Sequence, residues 1–149
     1  MKYIECPEIY EGNKKEKSLF LAGGITGCLD WQSELVKLLE KENIILLNPR
    51  RKNFPIDDPN ASEAQIKWEY NHLKKATGVS FWFPKETLCP IALYELGRQS
   101  VGNKHLFIGV HPEYKRKLDV EIQTGLIKPK IRIVYSLNDL AKQIKDWSR

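Results

Sequence analysis

The chain has 149 residues, of which 42% are hydrophobic and 29% charged, and it carries a formal net charge of +5. That length suits one domain around one core, and the composition is that of a folded globular protein rather than a disordered one. No apolar run approaches the ~20 residues of a membrane span, and three cysteines without a C-x-x-C pair argue against a disulfide framework.

In chain order, residues 1–17 read as an N-terminal extension, a short strand followed by a polar Lys/Glu-rich stretch, and residues 18–149 as the domain proper. A strand over 18–22 runs into Gly23-Gly24. Asp30 caps a helix to about residue 42, and a second strand over 44–47 ends at Asn48-Pro49. The loop from 50 to 61, long for a compact domain, is of the kind that tends to carry function. Ser62-Glu-Ala-Gln65 is a capping-box signature opening a helix to about 76, with Ile66, Tyr70 and Leu73 as its apolar stripe. A strand over 79–83 precedes a helix from Pro90 to about 101, a strand over 105–110, a short helix over 119–126, a fifth strand over 130–135 and a closing helix over 137–147. Strands alternating with helices predict an α/β fold, a flavodoxin-like doubly wound, mostly parallel five-stranded sheet with helices on both faces.

Two glutamates stand out by angular position. At about 100° per residue, Glu69 flanks the stripe of its helix, and Glu95 flanks the stripe formed by Ala92, Leu93, Leu96 and Ser100. A carboxylate at the edge of a buried face either finds a partner or acquires a raised pKa. Two of them in one cleft make the acid and nucleophile of a retaining glycosyl transfer, whereas singly each reads as a helix-surface residue. The turn Gly23-Gly24-Ile25-Thr26-Gly27 lets backbone N–H groups approach a ligand, or is simply a tight strand-to-helix turn. Arg50 and Arg51 offer bidentate contacts to phosphate or remain solvated, and Glu86 and Thr87 are sugar-hydroxyl ligands or turn residues.

Other residue types point nowhere in particular. His72, His105 and His111 lack metal-ligand spacing, so no metal and no cofactor is expected; His72 reads as a helix-surface residue and His105 as a strand residue. Cys89 reads as a helix cap, and Trp68 and Trp82 as core or partner-facing aromatics. Basic residues scatter apart from short clusters at 14–17, 50–52 and 115–117, which reads as a solvated surface rather than a nucleic-acid groove.

Four segments together resemble a known family: residues 19–24 (Leu-Phe-Leu-Ala-Gly-Gly), 68–76 (Trp-Glu-Tyr-Asn-His-Leu-Lys-Lys-Ala), 81–84 (Phe-Trp-Phe-Pro) and 90–97 (Pro-Ile-Ala-Leu-Tyr-Glu-Leu-Gly). The chain resembles the nucleoside 2-deoxyribosyltransferase superfamily in its transferase-like branch, from about Ser18 to Leu126. The resemblance implies that Glu95 matches the nucleophile attacking C1′ of the sugar. Glu69, 26 residues earlier, matches a family aspartate that assists at the base. Gly23, Gly24, Ile25, Thr26, Arg50, Glu86, Thr87 and Tyr94 become the expected substrate contacts. The family's sugar-binding aspartate falls on Cys89, with Glu86 as a stand-in. The run Tyr94-Glu-Leu-Gly-Arg98 also resembles the related 2′-deoxynucleoside 5′-phosphate N-hydrolases. The expectation is therefore a cytoplasmic homo-oligomeric enzyme that transfers or hydrolyses the N-glycosidic bond of a (deoxy)nucleoside or nucleotide. The departure at Cys89 keeps a second expectation open, a nucleotide-binding protein without catalysis. Family members complete each site from a neighbouring subunit near the chain end, and residues 138–149 show no match to that feature.

Overall fold

The computed structural model describes residues 1–13 and 15–149, so Lys14 of the first basic cluster lies outside the described residues. These form strands β1 (Lys2–Glu5), β2 (Ser18–Gly23), β3 (Ile45–Asn48), β4 (Gly78–Phe83), β5 (His105–Val110) and β6 (Ile133–Val134). The helices are α1 (Trp31–Leu38), α2 (Ala61–Lys75), α3 (Pro90–Ser100), α4 (Lys117–Ile127) and α5 (Leu137–Ser148). All strands are parallel in one sheet of order β1-β3-β2-β4-β5-β6. Without β1 the order is that of the expected doubly wound fold. The sixth strand comes from the N-terminal segment, which pairs along β3 from Lys2↔Ile45 to Glu5↔Asn48.

β2 and β4 are apolar along nearly their whole length because both of their faces are covered. Alternation splits them between two cores: Phe20, Ala22, Phe81 and Phe83 meet α2, α3 and α4, while Leu19, Leu21 and Trp82 meet α1 and α5. The chain leaves β2 for β3 on one side and then crosses to β4 on the other. Their carboxyl ends therefore flank the switch point at which sheets of this kind open a crevice.

Helix α2 is turned differently from the expected stripe. Leu73 is buried, but Ile66 and Tyr70 face solvent, and the inward positions are Ala61, Trp68, His72 and Leu73. Trp68 and His72 stack with ring centroids 3.8 Å apart. The N-terminal segment supplies two of their partners, since Trp68 Nε1 donates to the Glu8 carbonyl and Tyr10 N donates to His72 Nε2, while His72 Nδ1 bonds the Trp68 carbonyl one turn earlier. His72 is thus a core residue, and burial pulls its pKa down. A distant backbone segment supplies these partners, and no pattern within the helix announces it. The expected capping box is absent as well: Asn60 is the cap residue and makes no side-chain capping bond, and Gln65 points elsewhere.

Candidate active site

At the switch point lies a cavity of about 570 Å³, within the size range of small-molecule sites. Each wall comes from the carboxyl end of a strand or from the helix that follows it. β2 supplies Gly23, Gly24, Ile25 and Thr26; the loop after β3 supplies Pro49, Arg51 and Phe54. Helix α2 contributes Gln65 and Glu69, and the segment after β4 contributes Thr87, Cys89 and the first turns of α3 through Glu95.

Gly23 and Gly24 are required by packing. A Cβ on Gly23, whose φ is +152°, would lie 2.3 Å from the Trp82 carbonyl oxygen. One on Gly24 would lie 2.8 Å from Pro84 and 3.0 Å from each of the Cys28 and Cys89 sulfurs. The Gly24 carbonyl accepts from Trp31 Nε1 (2.8 Å) and Gln32 Nε2 (3.1 Å), which pins the turn against α1.

Glu95 is 8% exposed, and its carboxylate makes no hydrogen bond or ion pair among the described residues. Burial pushes its pKa up to about 7, the Glu69 carboxylate adds to the rise, and Arg98 opposes it. Glu69 is also raised by burial, and a hydrogen bond from Gln65 Nε2 at 2.8 Å partly offsets this. Two carboxyl groups from different helices therefore face one cavity, close enough to influence each other's ionisation. That is the juxtaposition required of an acid and a nucleophile.

Of the other expected contacts, Gly23, Gly24, Ile25, Thr26 and Thr87 line the cavity, whereas Arg50, Glu86 and Tyr94 do not. Arg50 braces the β2–α1 loop instead, donating to the carbonyls of Cys28 and Leu29 and to Gln32 Oε1. Glu86 is exposed, and Tyr94 is 71% exposed on the outer side of α3. Arg51 takes the inward place: its guanidinium lies over the Phe54 ring at 5.6 Å and has no ion pair among the described residues. Sequence reasoning missed Gln65, read as a capping residue, and Phe54, which lies in the loop whose length alone had marked it.

Cys89 lies on the cavity wall with φ +50°, a conformation uncommon for a residue with a side chain. Burial pushes its thiol up to about 12, which favours the protonated form over the thiolate. Among the described residues no cluster of His, Cys, Asp and Glu is arranged to hold a metal ion, and no helix is long and apolar enough to cross a membrane.

A family model described as "Nucleoside 2-deoxyribosyltransferase like" matches residues 16–114. The chain belongs to that family. The matched span holds the glycine turn, Glu69 and Glu95, and all the residues that line the cavity lie within it. Among curated proteins, none matches the chain. A solved structure titled "Crystal structure of conserved protein from Enterococcus faecalis V583" is similar with a TM-score of 0.64 and 19% identity, over 89% of this chain and 99% of that one. At that identity the likeness speaks for the fold.

Proposed function

We propose that the protein cleaves the N-glycosidic bond of a (deoxy)nucleoside or nucleotide through a covalent glycosyl–glutamate intermediate. Membership of a nucleoside 2-deoxyribosyltransferase-like family supports a nucleoside-handling, glycosyl-transfer role. The observation that carries the finer reading is the pair of carboxyls from α2 and α3 lining one cavity. In the first half-reaction a Glu95 oxygen bonds to C1′ as the C1′–N bond breaks, and Glu69 gives its proton to the departing base. In the second, Glu69 takes a proton from the acceptor as that acceptor displaces Glu95 from C1′. A second base as acceptor gives transfer; water gives hydrolysis. The Gly23–Thr26 turn and Thr87 hold the sugar end, and the Arg51 guanidinium supplies unspent donors for an anionic or carbonyl group.

Incubation with a panel of nucleosides and 5′-nucleotides, with and without an acceptor base, tests this. Base release or exchange is expected, falling at least about a thousandfold in Glu95→Ala. Activity undiminished by that substitution would remove Glu95 as nucleophile. A second reading is favoured by Cys89, a neutral thiol where the family has a sugar-binding aspartate: a nucleotide-binding protein without turnover. Tight binding in a thermal-shift screen, with no product after long incubation, would select it.

The assembly proposed is a homo-oligomer. Its support is a one-sided distribution of exposed apolar side chains. Ile66 and Tyr70 on α2, Ile91 and Tyr94 on α3, and Leu118, Ile122 and Leu126 on α4 are all exposed, with no counterpart on α1 or α5 among the described residues.

A further inference from the structure

Gln65 lies one helical turn before Glu69 on α2, and its side-chain amide is engaged at both ends, with both N–H donors used. Nε2 donates to the Pro49 carbonyl at 2.7 Å and to Glu69 Oε1 at 2.8 Å. Oε1 accepts from the Cys6 thiol at 3.0 Å. The orientation of the amide follows from chemistry: a backbone carbonyl can only accept, so the Pro49 oxygen must face the NH₂ end. Turning the amide over would set Gln65 Oε1 against that carbonyl and against the Glu69 oxygen. Pro49 ends the β3 exit and Cys6 follows β1, so the amide ties two strand ends to the helix that carries the carboxylate.

We infer that Gln65 is a positioning residue which fixes where the proton of Glu69 resides. Because Glu69 Oε1 always meets an N–H, a protonated Glu69 carries its hydrogen on Oε2, the oxygen without a protein partner among the described residues. The cavity therefore receives the proton from one defined atom, and the same oxygen takes it back in the return step. This rests on the reading of Glu69 as the proton-handling group. The titratable and charged groups facing Glu69 are Glu95 on α3, Cys6 after β1 and Arg51 on the cavity wall. None of them replaces the amide, since Glu95 and Cys6 do not donate to Oε1 and Arg51 makes no hydrogen bond to it.

The role is separable from a structural one by a measurement that needs no substrate. Carboxyl-carbon NMR of the ligand-free protein should show the Glu69 midpoint moving up in Gln65→Met, because the N–H that favoured its ionised form is gone while side-chain volume is retained. In the wild-type protein, the Gln65 side-chain amide protons should shift with the Glu69 titration, which needs no variant and survives any misfolding of one. In a turnover assay Gln65→Met should lower kcat on the order of tenfold with KM little changed, and move the pH profile. An unmoved Glu69 midpoint, or wild-type amide signals flat through it, overturns the inference. Absence of turnover in the wild type would count against the proposed reaction and leave the NMR result to decide the role of Gln65 on Glu69.

Discussion

A carboxylate that is to attack carbon must be ionised, yet Glu95 sits where burial and the neighbouring Glu69 oppose the charge. The conflict has a thermodynamic signature. Its folded pKa of about 7 lies above the ordinary value of 4.5, so between these values the native state holds a proton that the unfolded chain has released. Stability from this group is complete below about pH 4.5 and is lost as pH rises through about 7. Replacing Glu95 by Gln, neutral and of the same shape, removes the loss. Glu95→Gln should match the wild type in urea unfolding at pH 4 and exceed it at pH 8 by roughly 3 kcal/mol. Equal stabilities at pH 8 would mean that the carboxylate is not destabilised in the folded protein. The same rise in pH that costs stability produces the ionised form that the proposed nucleophile needs, an opposition expected where a site is built for chemistry rather than for folding.

The glycine turn makes a similar separation possible between a packing requirement and a conformational one. Gly23 is the last residue of β2, paired with Trp82, and an added Cβ would strike the Trp82 carbonyl of the neighbouring strand β4. Gly27 has φ +75° but open space around its Cα. Gly27→Ala should therefore cost only backbone strain, about 1 kcal/mol, whereas Gly23→Ala should cost about 3 kcal/mol or more, as read by thermal or urea unfolding. This turn, Glu95 and the strand–helix alternation were legible because each depends on local chemistry: glycine before a helix, a charge flanking a stripe, apolar runs of strand length; Glu69 reaches the cavity although two residues of its expected stripe, Ile66 and Tyr70, face solvent. The remainder was hidden because it depends on residues far apart in the chain. Arg50 and Arg51 are indistinguishable in sequence, and only the loop's path sends Arg50 to the Cys28 and Leu29 carbonyls and Arg51 into the cavity. Gln65 carries a capping signature that the fold overrides with contacts to Pro49 and Glu69. The edge strand β1 was expected as a short strand in an extension outside the domain, because a four-residue run becomes part of a sheet only when β3 is there to pair with it.

At the scale of the whole molecule, the sheet is covered unevenly. Among the described residues, the α1 and α5 side presents no large exposed apolar side chain on its helices, while α2, α3 and α4 present several, and Leu118, Ile122 and Leu126 recur at intervals of four along one face of α4. Arg98 of α3 lies over the Tyr70 ring of α2 at 5.3 Å, so these outer faces adjoin one another. A single chain in water gains nothing from such an arrangement; a second copy against it would remove that surface from solvent. Ile91 belongs to both features, being 63% exposed and also lining the cavity, so a partner seated on α3 reaches the mouth of the site. Leu118→Glu combined with Leu126→Glu changes two exposed side chains and should leave the fold within about 1 kcal/mol of wild type, while shifting a dimer or larger species to monomer in sedimentation experiments. Lys142→Glu on α5 should leave the assembly unchanged. A wild-type chain that sediments as a monomer at micromolar concentration would leave the apolar face unexplained and remove the oligomer from the proposal. If the monomerised variant also loses base release while its Glu69 and Glu95 titrations stay in place, the partner completes the cavity rather than the carboxyl pair.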